Sequence, residues 1–180
     1  MKLNTSEWQY FNIKKLFDVD AGKYHYSDEY VDGDTPYCSA TNQYNGISQF
    51  INLPPDFNGN KIITGKVGCN AFYQPEPFCA TSDCNVLSPK FKMTENIGLF
   101  LVTVINKNEN FRWNYGRQCR VGNTKKIRIQ LPVQDGVYDK EHKYSDEGYV
   151  PDWKFMESFI DSLKPKKISF WQIVKFKLNI

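Results

Sequence analysis

Three short stretches of this 180-residue chain bring planar amide, guanidinium and aromatic side chains close together. They are Tyr73-Gln74-Pro75-Glu76, then Trp113-Asn114-Tyr115-Gly116-Arg117-Gln118-Cys119-Arg120, and a smaller group of Asn42, Tyr44 and Asn45. Such side chains suit hydrogen bonding to nucleobase edges: Arg pairs with guanine, Asn and Gln with adenine, and Glu accepts from cytosine. Nearby cations suit phosphates, which fix position without reading sequence. Gly116 permits a bend that would aim Arg117 and Gln118. Taken singly, each stretch reads equally well as a surface turn with incidental polarity. Gly65, Gly68, Gly116 and Gly122 are adequately explained by backbone turns.

A search for catalytic constellations is largely negative. A dinucleotide- or methyl-donor loop needs a glycine fingerprint between strand and helix, and Gly65-x-x-Gly68 is too short and opens onto prolines. Leu53-Pro54-Pro55-Asp56-Phe57 echoes an amino-methyltransferase signature in the wrong order. Pro55-Asp56 and Glu141-His142-Lys143 are the pieces of a metal-dependent nuclease, but they lie far apart in turn-like segments. Ser82-Asp83 has no histidine in chain context to complete a triad. With no C-x-x-C pair and only two histidines, the spacing predicts no zinc site. His25 and His142 read as solvated. The expectation is a binder with no catalytic residue, metal or cofactor.

The elements that must position these residues belong to a well-cored fold. Thirteen Phe, eleven Tyr and four Trp exceed what a core of this size needs, so several should lie at the surface. The net charge of +3 is mild, but its distribution is uneven. From Lys92 to Arg128 eight basic residues face two acids, whereas Asp18 to Asp34 holds six acids and Lys23. The first segment could follow phosphates and the second could not. No export leader is visible in MKLNTSEWQY and no run reaches membrane-spanning length, which predicts a cytoplasmic protein whose five cysteines are reduced thiols.

Along the chain, Trp8–Leu16 is a short element, Asp18 and Asp20 lead to a turn at Gly22, and 24–35 reads as an acidic loop. Tyr37–Ala40, Ile47–Leu53 and Lys61–Thr64 read as strands, separated by turns at Asn45-Gly46 and Pro54–Asn60. The stretch from Thr64 to Leu87 reads as a rigid loop between strands whose exposed tip starts at Phe72, because Pro75 and Pro77 cannot sit in a central strand. Ile97–Asn106 reads as a helix packed on a sheet, and Lys126–Leu131 as a half-exposed strand ended by Pro132. Asp135–Val150 reads as an acidic loop. Asp152 caps a helix carrying Trp153, Met156, Phe159 and Leu163.

Five of these segments, in order, resemble a known family. They are Thr41-Asn42 with Asn45-Gly46-Ile47; the block from Gly65 to Asp83; Tyr115-Gly-Arg-Gln-Cys-Arg120; Ile127-x-Ile-x-Leu-Pro132; and Pro151-Asp-Trp-x-Phe-Met156. They look like the target recognition domain of DNA-specificity subunits of type I restriction-modification systems and the related type IIG/BcgI-like enzymes. The last segment looks closer to the BcgI-like branch. The resemblance implies a single α+β domain over residues 1–163, with a twisted, mostly antiparallel sheet and packed helices. Residues 164–180, basic and apolar, read separately as a C-terminal extension: a short strand, a partner-docking piece or an ordered end. The resemblance implies a non-catalytic module reading one half of a bipartite site on double-stranded DNA for a methyltransferase subunit and a restriction subunit. The family's subunits carry two such domains and this chain one, so pairing with a second copy is one expectation. Family loops vary, so the contact residues rest on chemistry: Lys66, Tyr73, Gln74, Arg117 and Gln118, backed by Asn42, Tyr44 and Lys23. Tyr73 would stack or meet a thymine methyl, Gln74 adenine and Arg117 guanine. The competing readings are a protein-interaction domain and a stand-alone DNA hydrolase.

Overall fold

Phe17 and Val19 alternate with Asp18 and Asp20, and this period of two makes a strand of the residues that lead to Gly22. In the computed structural model, which describes residues 3–164, strand β1 (Gln9–Asn12) runs into a single helical turn, α1 (Ile13–Leu16). Strand β2 (Phe17–Ala21) follows directly, with Phe17 and Val19 buried and the aspartates outside. The acidic loop is shorter than expected, because β3 (Asp32–Cys38) takes its last third. Strand β4 (Ile47–Ile51) pairs with β3 through an antiparallel ladder with register shifts.

Thr64–Leu87 is where expectation and structure differ most. Instead of a loop it forms the middle of the fold: β5 (Lys61–Gly65), β6 (Ala71–Gln74), β7 (Cys79–Ala80) and β8 (Cys84–Pro89). Pro75 and Pro77 do fall between strands, as their missing donors require. Tyr73 and Gln74, however, precede the first proline and complete the β5–β6 ladder, with Gln74 opposite Lys61. The four-stranded sheet has the order β2-β8-β5-β6 and is antiparallel throughout. A second sheet, β4-β3-β7, contains the parallel pair β3–β7.

The four-stranded sheet is covered on both faces, which explains why Ile62-Ile63 and Val86-Leu87 are consecutive apolar pairs instead of alternating with polar residues. Ile63 and Val86 pack with Cys38, Phe78 and Ala80 toward the second sheet. Ile62 and Leu87 join the main core, with Phe17, Tyr73 and the helices. Helix α2 (Glu95–Glu109) confirms the helical reading of Ile97–Asn106; Thr94 caps it, and Ile97, Phe100, Leu101 and Ile105 turn inward. It approaches the sheet closely at Gly98, where an added Cβ would stand 2.6 Å from the Tyr73 ring.

The short α3 (Val121–Thr124) leads to β9 (Arg128–Leu131), which alternates as expected and pairs with β1. The expected acidic loop at 135–150 is flanked by a hairpin, β10 (Val133–Tyr138) with β11 (Tyr149–Pro151), so Pro132 interrupts the strand without ending the sheet structure. Helix α4 (Trp153–Leu163) starts where the sequence places it: the Asp152 carboxylate accepts from the Phe155 N–H at 3.0 Å. Among the described residues no helix is long and apolar enough to cross a membrane. The extension expected at 164–180 lies, beyond Lys164, outside the described residues.

Candidate nucleic-acid interface

The end of the four-stranded sheet formed by the close of β2, the start of β8, the close of β5 and the start of β6 gathers four connections. Gly22 donates its N–H to the Cys84 carbonyl, and an added Cβ there would stand 2.1 Å from the Thr81 carbonyl oxygen, so only glycine fits. Lys66, just past β5, donates its N–H to Asp83 and accepts from the Cys119 N–H at 2.7 Å. That last bond carries the 113–120 segment to the sheet. Lys66, Arg117 and Gln118, chosen from chemistry alone, therefore lie within a few residues of one backbone junction.

A buried amide holds this junction. Asn85 on β8 is fully buried; its side-chain nitrogen lies 2.7 Å from the Cys119 carbonyl, 3.1 Å from the Thr124 hydroxyl and 3.4 Å from that of Thr64. A second support comes from α2. Its buried Glu109 accepts from the Trp113 indole N–H at 2.8 Å and from Arg112 at 2.9 Å. The Trp113 ring in turn underlies the Arg117 guanidinium at 5.0 Å, a cation–π contact. Asn114 and Arg117 close a tight turn by reciprocal backbone bonds, leaving Tyr115 at its tip 85% exposed. Gln118 accepts from the Arg120 guanidinium at 3.2 Å, and its carbonyl accepts from Asn123. Tyr115, Arg117, Gln118, Arg120 and Asn123 line an open cleft of about 350 Å³. Lys125 and Lys126 are exposed just beyond it.

Two expected contact residues are misplaced by the sequence reading. Gln74 is 2% exposed and Tyr73 8%, so neither presents a free polar group to a groove. Tyr73 donates its hydroxyl to the Asn60 side chain, and its carbonyl accepts from the Asn45 amide; Gln74 donates to the Asn45 carbonyl at 2.8 Å. The physical reason is their place in β6, facing α2 on one side and the Asn45 turn on the other. Their effect is to brace that turn. There Tyr44 and Asn45 adopt positive φ of 49° and 55°, and the Tyr44 ring is 82% exposed. Asn42 is exposed in the same loop, whose start packs beside the sheet end: Ala40 would meet a Gly65 Cβ at 3.3 Å. Lys23 is exposed but already bonded to Asp56 at 3.1 Å.

His25 is not solvated as expected. Its side chain is only 10% exposed and one ring nitrogen stands 2.6 Å from the Asp56 carboxylate. Burial raises the Asp56 carboxyl, but hydrogen bonds from His25, Lys23 and Cys79 outweigh it and hold the group below its usual range. The pieces considered for a nuclease are thus otherwise engaged: Asp56 in this pairing, and Glu141 in an exposed turn where its N–H bonds to Asp139. The five cysteines are free and buried. Burial pushes the Cys84 thiol up to about 12, which suits an inert packing residue. A groove of about 550 Å³ lies elsewhere, among Trp8, Phe100, Val104, Phe159 and Ile160, and its mostly apolar lining is poorly suited to base readout.

Asn85, Glu109 and Asn123 were not singled out from the sequence, and Trp113 and Arg120 were named only as members of the 113–120 stretch, not as contact residues. Only the Glu109–Trp113 pair left a local signal, its spacing of one helical turn.

The profile of the type I restriction modification DNA specificity domain matches residues 5–169, and the chain belongs to that family. It is 25% identical over 172 residues to the specificity subunit S.BcgI of a type II restriction enzyme from Heyndrickxia coagulans, a match spanning 92% of this chain and 46% of that subunit. The chain thus spans about half the length of that curated relative. The fold resembles the S subunit of a type I restriction-modification system from M. genitalium (TM-score 0.57, 18% identity, 70% of this chain and 34% of that one). It also resembles the HsdS subunit from Thermoanaerobacter tengcongensis (TM-score 0.57, 11% identity, 89% and 38%). A chain from a structure of type I system assembly and conformational transition covers 99% of this chain and 43% of its own length, with a TM-score of 0.59 and 12% identity. The family is one of specificity rather than catalytic domains.

Proposed function

We propose that this chain reads one half of a bipartite sequence in double-stranded DNA and thereby directs a methyltransferase subunit, and a restriction subunit where one is present, in the cytoplasm. A second recognition domain, on a second copy or a longer partner, reads the other half. The observation that carries this reading is the Lys66–Cys119 junction. It ties the backbone at Lys66 to the segment that carries Arg117, Gln118 and Arg120, at one sheet end of a DNA specificity domain. Arg117 is the base reader, because its guanidinium is oriented by Trp113 while remaining exposed. Lys66 and Arg120 grip phosphates. Tyr115 and Tyr44 are exposed rings placed for stacking or thymine-methyl contact. Asn42 flanks them, and Lys23 joins only when released from Asp56. Tyr73 and Gln74 act indirectly, through the Asn45 turn.

The test is fluorescence anisotropy with duplex DNA across a salt series. The two phosphate contacts, by Lys66 and Arg120, give a slope of log K against log[salt] of about −1.8, from about −0.9 per neutralised phosphate. A slope near zero would favour the protein-interaction reading instead.

A further inference from the structure

We propose that His25, Asp56 and Cys79 form a binding site for one divalent transition cation of the zinc type. The three come from separate parts of the chain: the β2–β3 connection, the turn after Pro54-Pro55, and strand β7. One ligand atom from each lies within 4.8 Å of the other two. Tetrahedral zinc ligands, with bonds of about 2.0–2.3 Å, stand about 3.3–3.6 Å apart, so closing the site asks for shifts of about an ångström. No spacing rule could find this set, since its members are 31 and 23 residues apart in the chain.

The frame around the trio is rigid. Phe57 and Phe78 exchange two backbone hydrogen bonds of 3.0 Å and stack their rings at 5.4 Å. That bridge fixes Asp56 and Cys79, each one residue away. His25 packs edge-on against Tyr37, at 6.0 Å between ring centroids. Its Nε2 faces Asp56, while Nδ1 faces the Glu29 carboxylate at 3.9 Å. At 2.6 Å the Asp56 carboxylate accepts from a proton-bearing Nε2; a metal would replace that proton and leave the ring protonated on Nδ1, toward the Glu29 carboxylate, with Nε2 as the ligand. A thiolate, an imidazole and a carboxylate form a donor set that selects zinc-like ions over magnesium or calcium. The His25 and Asp56 side chains are 10% and 12% exposed, which leaves an open side for a water as fourth ligand.

Binding is balanced in protons: Cys79 gives its thiol proton to solvent as the sulfur–metal bond forms, giving up its contact to the Pro54 carbonyl at 3.4 Å, and the His25 proton passes from Nε2 through solvent to Nδ1 as Nε2 takes the metal. The Lys23 ammonium, now 3.1 Å from Asp56, is displaced into solvent as the metal takes the carboxylate. The site thus ties the acidic connection to the second sheet and frees a cation near the candidate interface. Metal binding at this site does not depend on DNA binding.

The test is a cobalt(II) titration of the untagged, metal-free full chain, read by absorbance. One equivalent should bind, with tetrahedral d–d bands and a single thiolate-to-cobalt charge-transfer band, and one equivalent of zinc should bleach both. Cys79→Ser should abolish the charge-transfer band, and His25→Gln should weaken affinity at least tenfold. Cys38→Ser, another buried thiol, should change neither. Where Cys79→Ser fails to fold, X-ray absorption of the zinc-loaded wild-type chain decides, with one sulfur and three light ligands expected. The absence of saturable 1:1 binding, a charge-transfer band that survives in Cys79→Ser, or a metal shell without sulfur would each overturn the proposal.

Discussion

Removing the Asn85 amide is the sharpest test of how the candidate interface is held. Its nitrogen has two hydrogens for three acceptors, the Cys119 carbonyl at 2.7 Å and the Thr124 and Thr64 hydroxyls at 3.1 and 3.4 Å. Two neutral hydrogen bonds contribute about 1 kcal/mol each, and an acceptor stranded in the interior costs about 1–3 kcal/mol. Two features reduce the loss. The Thr124 hydroxyl also reaches the Cys119 carbonyl at 3.4 Å, and the Asn85 side-chain oxygen is itself buried without a partner. Asn85→Ala should therefore destabilise the fold by about 1–2 kcal/mol. For a chain of this size that lowers Tm by roughly 2–8 °C. Because the bond to Cys119 anchors the segment carrying Arg117, DNA affinity should also fall, by about three- to tenfold at a temperature where the variant is fully folded. Differential scanning calorimetry and anisotropy measure the two effects. A Tm change below 1 °C would refute the anchoring role. An unchanged affinity in a destabilised variant would separate the network from the interface.

Other expectations follow from the same geometry. Arg117→Ala should cost about 1–3 kcal/mol of binding and relax preference at one base pair, read by competition with single-substitution duplexes; unchanged selectivity would remove Arg117 from base readout. Lys66→Ala should weaken all duplexes alike and reduce the salt slope by about 0.9. Tyr73→Phe, which deletes only the hydroxyl bonded to Asn60, should cost about 1 kcal/mol in urea unfolding and leave DNA affinity unchanged, whereas a direct contact would show a loss of binding. Gly98→Ala should destabilise by about 1–3 kcal/mol despite alanine's better helix propensity, since the new methyl meets the Tyr73 ring; a gain in Tm would show that the ring yields freely.

Local chemistry was legible in the sequence, and non-local pairing was not. Asp152 announces α4 because a cap works within three residues, and the apolar content of Ile97–Asn106 matches the buried side of α2. Proline correctly barred residues 75 and 77 from a strand, but it says nothing of Tyr73 and Gln74, whose burial depends on which strand lies opposite. The continuous pairs Ile62-Ile63 and Val86-Leu87 marked a sheet covered on both faces, a sign that the loop reading of Thr64–Leu87 missed. At the interface, the residue types of Lys66, Arg117 and Gln118 were readable, while the bond joining residues 66 and 119 was not. The pairing of His25 with Asp56 was invisible for the same reason, and polar neighbours in the chain suggested solvent instead.

Methylated bases mapped in cells that express this chain with a candidate methyltransferase subunit would show directly whether it reads DNA. Methylation should be confined to one bipartite motif, with Arg117→Ala degenerating a single position in one half and leaving the other half intact. Methylation without a motif, or a motif unaltered when Lys66, Arg117 and Gln118 are all replaced by alanine in a folded chain, would contradict that reading.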